Sequence, residues 1–379
     1  MSVIPQGTAP ASGDTSESDG SDSTEVWHRV LLALAGVLPD PLLSRVRAWL
    51  ADGRCAEVAR AVAVALVAAG APIPAELAST VRAGLRAADA DLSAMVAMLP
   101  RDERGPVPWR FSCTEEQWSC LPLDLTGSDA GPAAGSSDAA AGSSDAAAVA
   151  AAEAEPVALG LWRSWRLPME DGLRPPPRRV YVVTVEPGPG RAAAVAGRVQ
   201  AALDAAGELD PQVEVCEAGG EPPVYQVLAR TFGALLWARE PAGEVFLARA
   251  LDEVDPAGGP RFDPAGPPVA ADIARRAAAY LDAGVPLIRT TARAPDILEP
   301  DRGEVVPLTI RTDGRWVWAD SISYYLATYG LAADPDLLDH AARGGMPGRL
   351  DEVAAHRILA ALLGDSLTDT AYPAPALAT

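Results

Sequence analysis

The side chains of this protein that could do chemistry are concentrated between Thr312 and Gly330. The stretch TDGRWVWADSISYYLATYG holds Trp316, Trp318, Tyr324, Tyr325 and Tyr329 in a chain that is only 5% aromatic. Trp, Tyr and Arg carry most of the energy of partner recognition, so this chemistry is that of a docking surface rather than of a reaction. An Asp-Gly pair between two β-type runs predicts a two-residue hairpin turn, because both central positions need positive φ. With Asp313-Gly314 as that turn, Thr312 opposes Arg315, Arg311 opposes Trp316, Ile310 opposes Val317 and Thr309 opposes Trp318. Alternation then places Leu308, Ile310, Val317 and Ala319 on one face, expected to be core, and Thr309, Arg311, Trp316 and Trp318 on the other. In the helix that follows, Ile322, Tyr325, Leu326 and Tyr329 form one apolar stripe, which makes Tyr325 and Tyr329 structural and leaves Tyr324 for the surface. The candidate partner-binding residues are therefore Arg311, Trp316, Trp318 and Tyr324. For the two tryptophans themselves, packing in a core is the favoured reading and a recognition surface the alternative.

Other chemistries find less support. Gly188-Pro-Gly190-Arg-Ala-Ala193 follows a strand and opens a helix, a formal dinucleotide fingerprint with Glu217 at the end of the next strand. However, Pro187 and Pro189 lack the N–H groups that should meet a pyrophosphate. Asp252, Glu253, Asp255 and Asp263 flank a Pro/Gly loop, but their spacing is not that of a calcium loop, and no metal site is expected. No G-x-S-x-G elbow occurs. His340 and His356 fall in C-terminal helices without an evident orienting partner, and His356 lies off its helix's apolar stripe, so both are expected to be solvated surface residues. No catalytic residue and no cofactor is expected.

Composition narrows the classes further. No Lys and no Asn occur, so all 31 basic residues are Arg. This excludes Schiff-base chemistry, the Walker and kinase lysines, and Asn-linked glycosylation. The two missing residues have codons poor in G and C, which points to a GC-rich, actinobacterial genome. Formal net charge is -20, unsuited to phosphate backbones and suited to solubility or to a basic protein partner. Eleven acids and no base lie in residues 1–25 and 121–156. Cys55, Cys113, Cys120 and Cys216 show no metal-ligand spacing and are expected to be reduced thiols. The acidic, Ser-rich start is the opposite of a signal peptide, and the apolar run Ala61 to Ala71 is too short to span a bilayer, so a cytoplasmic protein is expected.

The elements that would position these residues fall into segments. Residues 1–24 read as a disordered acidic tail, and 25–100 as a small all-α domain started by Asp40-Pro41 and punctuated by Gly53 and Gly70. Residues 101–156 read as a Pro-rich segment and a flexible Ala/Gly/Ser/Asp linker, because GSSDAAA is repeated at 135–141 and 142–148 and a polar heptapeptide repeat cannot build a core. Residues 157–365 form a mixed α/β sheet domain. Its strands are expected at 179–186, 212–217, 233–240, 245–251, 285–290 and in a hairpin over 305–319; its helices at 191–207, 224–231, 272–283, 321–329, 335–343 and 350–363. Residues 366–379 read as a flexible tail. The class is thus α+β, an all-α domain preceding a mixed sheet.

The second part of the chain, above all PLTIRTDGRWVWADSISYYLATYGLAADPDLL, resembles a family of uncharacterised actinobacterial proteins with a Trp-rich hairpin and a Tyr-Tyr-Leu helix. That resemblance implies the same domain organisation, brings no catalytic residue to carry over and leaves the function open. The expected function is a non-enzymatic cytoplasmic interaction module, in its sharpest form an acidic inhibitor or immunity-type protein. The alternative is a nucleotide- or metabolite-binding enzyme or sensor using the Gly188–Gly190 turn.

Overall fold

Apolar stripes at helical spacing build five helices between residues 15 and 97: α1 (Thr15–Ala33), α2 (Asp40–Ala51), α3 (Cys55–Ala69), α4 (Ala78–Ala88) and α5 (Ala90–Ala97). These assignments come from a computed structural model, which describes residues 15–70, 73–74, 77–88, 90–102, 108–115, 121–127, 139–169, 176–255, 259–262 and 268–368. The expectations for residues 1–14, 128–138 and 369–379, and for Cys120 and Asp263, lie outside the described residues. Gly70 ends α3 in the left-handed region with φ 59°, as a C-terminal glycine should. Asp40 does not cap α2, whose N-cap is Pro39. Its carboxylate instead accepts from Arg166 at 2.6 Å. The helix α1 begins at Thr15, inside the segment expected to lack structure.

Short strands β1 (Ile73–Pro74) and β2 (Arg101–Asp102) pair with each other. They are followed by β3 (Trp109–Ser112), β4 (Leu123–Asp124), α6 (Ala139–Glu153), β5 (Ala158–Pro168), β6 (Arg178–Val185), α7 (Arg191–Ala205), β7 (Gln212–Glu217), α8 (Val224–Thr231) and β8 (Ala234–Ala238). The sheet runs β4-β8-β5-β6-β7, with β3 added alongside β5. It is mixed: β6 and β7 are parallel across α7, while β5 is antiparallel to β3, β6 and β8. Leu161, Tyr181, Val183, Val213 and Val215 pack with Ala148, Val195 and Val199 in one core cluster that joins the sheet to α6 and α7. On β7, Glu214 alternates with these residues and meets Arg47 of α2 at 2.6 Å and Gln226 of α8 at 2.9 Å. Both faces of the sheet are covered, which suits strands with nearly continuous apolar runs.

The described part of the region read as a linker, α6 above all, is built into this fold. The second GSSDAAA copy lies in α6, and its Asp145 is fully buried. The Asp145 carboxylate accepts from the buried Arg163 guanidinium at 2.5 Å and from Tyr181 Oη at 2.8 Å. Burial pushes the Asp145 carboxyl up against the pull of Arg163. Glu155, also buried, is paired with Arg198. His28 of α1, buried and donating to the Val215 carbonyl at 2.8 Å, is pushed down to about 4 by desolvation despite that bond, with Arg47 adding to the shift. Helices α1 and α2 thus rest on the sheet through buried polar contacts. The compact units of the chain divide at Glu240/Pro241, not at the repeated heptapeptide.

In the second unit, β9 (Phe246–Leu247), the β10 (Glu253–Asp255) and β11 (Gly259–Arg261) pair, and α9 (Ala271–Ala283) precede β12 (Val285–Ile288), β13 (Arg293–Pro295), β14 (Glu304–Pro307), β15 (Ile310–Thr312) and β16 (Trp316–Ala319). Helices α10 (Asp320–Tyr329), α11 (Pro335–Arg343) and α12 (Glu352–Thr368) close the unit. The sheet order is β12-β15-β16-β9, and β13 pairs with β14 apart from it. The expected hairpin over 305–319 is therefore split: β14 leaves to pair with β13, and β15 alone turns into β16. Asp334 caps α11, accepting from the amides of Asp336 and Leu337. Among the described residues, no helix is long and apolar enough to cross a membrane.

Candidate functional site

The turn between β15 and β16 is wider than Asp-Gly chemistry alone suggests. Thr312 pairs with Val317, Arg311 with Trp318 and Ile310 with Ala319, so the loop is Asp313–Trp316 and the expected register is off by two positions. Side chains decide this. Asp313 Oδ1 accepts from the amides of Arg315 at 2.9 Å and Trp316 at 2.7 Å. Thr312 Oγ1 donates to the Trp316 carbonyl at 2.6 Å and accepts from the Gly314 amide at 3.0 Å. An Asx-type turn replaces the two-residue turn, with Gly314 still at φ 98°. A shift of two preserves faces, so Arg311, Trp316 and Trp318 do share a side of the sheet.

They do not share an environment. Trp318 is fully buried in a cluster with Ala277, Leu281, Ile322 and Leu326. It donates from Nε1 to the Leu281 carbonyl at 3.3 Å, and a Cβ on Gly284 would overlap its ring. Arg311 donates to Asp320 at 2.6 Å and to the carbonyls of Asp282 and Gly284 at 3.1 and 3.0 Å, which spends its donors inside the protein. Tyr324 and Tyr329 both donate to the buried Asp296 carboxylate, at 2.8 and 2.6 Å. Three of the four residues expected to meet a partner are thus committed to the fold, Trp318 by burial and Arg311 and Tyr324 by hydrogen bonds. Trp316 is different: it is half-buried and makes no side-chain hydrogen bond among the described residues.

Trp316 lines a hollow of about 530 Å³ together with Phe246, Arg315, Asp336, His340, Arg343 and Gly344. Its ring lies 5.1 Å from that of Phe246 and 6.2 Å from that of His340. Behind this wall, Asp313 Oδ2 receives two further hydrogen bonds at 2.6 Å, from Tyr280 Oη of α9 and from His340 Nε2 of α11. Burial alone would raise the Asp313 carboxyl, but the bonds from Tyr280, the Trp316 and Arg315 amides and His340 outweigh it and hold the group below its ordinary value. Desolvation, reinforced by the same carboxylate, pushes the Tyr280 hydroxyl up. Asp313 is therefore a carboxylate taking protons from both neighbours, and with His340 Nε2 so engaged, Nδ1 has no partner among the described residues. Among the described residues that line the hollow there is no Ser or Cys, and the hydroxyl within reach of the Asp–His pair is that of Tyr280, 3.1 Å from His340 Nε2.

A group whose pKa is depressed by folding stabilises the fold above its unfolded-state value and loses that contribution as pH falls through the lower folded-state value. Wild-type protein should accordingly lose melting temperature below about pH 4 more steeply than Asp313→Asn. Circular-dichroism melts across the acid range check this, and parallel slopes would show that Asp313 carries no such linkage.

The expectation that His340 and His356 are solvated is corrected. His340 is bonded to Asp313, and His356 is only 4% exposed. Asp336, His340 and Arg343 stand at i, i+4 and i+7 on α11, a polar stripe visible in the sequence as spacing; Asp313 was read only as a turn former. At the alternative site, Gly188 N–H donates to Glu217 Oε1 at 2.9 Å. A carboxylate thus occupies an amide that a phosphate would need. Among the described residues, no group of three His, Cys, Asp or Glu could hold a metal. No protein-family model matches the chain, nor does any curated protein or solved structure.

Proposed function

We propose that this protein is a non-enzymatic interaction module that docks a protein partner in the hollow beside the Asp313–Trp316 loop. The observation that carries the reading is Trp316: a large aromatic side chain, half-buried, free of internal hydrogen bonds, and set between Phe246, Arg315 and His340. An indole held rigid by its own loop contributes contact area at little entropic cost, and Trp and Arg together are the residues enriched at binding hot spots. Asp313 fixes the loop from behind, so the surface is preorganised. An inhibitor or immunity-type role in the cytoplasm is the specific form proposed, with net charge of -20 disfavouring nucleic acid as the partner.

In the full chain, Trp316→Ala should keep the fold and weaken partner capture by about 30-fold or more, the size of a hot-spot loss. An unchanged partner set with an unchanged melting temperature would sink this reading.

A further inference from the structure

We infer that the hollow accepts a carboxylate-bearing segment of its partner, the acid meeting Arg315 and an adjoining apolar side chain lying on Trp316 and Phe246. The inference rests on the docking reading and adds the chemistry of the occupant. It follows from the compensation of each charge at the site. Arg343 donates to Asp339 at 2.9 Å and lies in the last turn of α11. Asp336 lies in the first turn of the same helix, where unpaired amides favour negative charge. Asp313 takes four hydrogen bonds from the protein. Of the two arginines of the hollow, Arg315 is the one left over. It is exposed, its guanidinium lies 5.4 Å from the Phe246 ring centre, and it makes no ion pair among the described residues.

Net charge over the whole chain argues for a basic partner, and the hollow argues the other way. At physiological salt, charges beyond about 8 Å are screened, so the groups that touch the ligand decide what fits. An arginine or lysine entering here would face both Arg315 and Arg343, whereas a carboxylate meets a planar fork of donors that suits it. The aromatic rings beside that fork give an adjoining apolar residue a surface to cover.

The test uses a random-peptide library displayed against the full-length protein and counter-selected on Trp316→Ala. Enriched peptides should carry Asp, Glu or a free C-terminal carboxylate next to an aromatic or aliphatic residue. With one such peptide in fluorescence anisotropy, exchanging its acid for the amide should weaken binding roughly tenfold. Arg315→Gln should do the same, and the two changes together should cost little more than either alone. Enriched peptides without an acid, or affinities indifferent to Arg315→Gln and to the amide exchange, would overturn the carboxylate inference while leaving docking at Trp316 standing. Failure to obtain any Trp316-dependent peptide would overturn the docking reading, and this inference with it.

Discussion

Replacing Arg163 with Met should destabilise the first unit by about 3–5 kcal/mol, the usual cost of leaving one member of a buried ion pair alone. Arg163 and Asp145 are both fully buried, and Arg163 also donates to the Cys113 carbonyl at 3.2 Å. Among the described residues, the variant leaves the Asp145 carboxylate with the Tyr181 hydroxyl as its one hydrogen-bond partner, in surroundings that already push its pKa up. Protonation of Asp145 would relieve part of the cost, so the loss should shrink as pH falls. Replacing both members by apolar residues, Arg163→Met with Asp145→Leu, should recover most of the loss, because the desolvation cost disappears along with the attraction. Chemical denaturation followed by circular dichroism measures all three proteins. A single variant within about 1 kcal/mol of wild type would show that α6 does not seal this pair as described.

Trp318→Ala should cost the second unit about 3–5 kcal/mol, the range for truncating a large buried aromatic to alanine. The ring is fully buried against α9, close to Gly284 and Leu281, so neighbouring backbone limits how far the cavity can collapse. Trp316→Ala, two residues away, removes a half-buried ring and should cost at most about half as much, in proportion to the area withdrawn from water. Thermal melts of the two variants make the comparison. Equal losses would contradict the division of the aromatic block into a core residue and a surface residue, and with it the choice of Trp316 as the docking residue.

Much of the architecture was readable from local pattern. Short β-type apolar runs correspond to β6, β7 and β8, and α7, α8, α9 and α11 lie within a residue or two of where capping and periodicity place them. The main strand missed was β5. Its residues Leu161-Trp162-Arg163-Ser164-Trp165-Arg166 place two arginines among apolar neighbours, which disguises a strand buried on both faces. Their partners, Asp145 and Asp40, lie in segments that give no local sign of them. The same blindness turned α6 into a linker: Ser, Asp and Ala in a repeat look soluble until the arginine that needs the aspartate is in place.

At the candidate site, the sequence by itself determined which side chains were available: an aromatic hairpin, the side of it on which Arg311, Trp316 and Trp318 stand, and a polar stripe on the helix after Asp334-Pro335. Those follow from periodicity and turn chemistry, which act over a few residues. Only the tertiary structure decided which tryptophan is covered, because covering Trp318 requires α9, more than thirty residues earlier in the chain. It also decided that Asp313 joins the turn, α9 and α11 through one carboxylate, since a hydrogen bond depends on where two distant segments are brought together. The aromatic concentration was a property of the chain; its division into a buried Trp318 and a half-buried Trp316 beside an exposed Arg315 is a property of the packing.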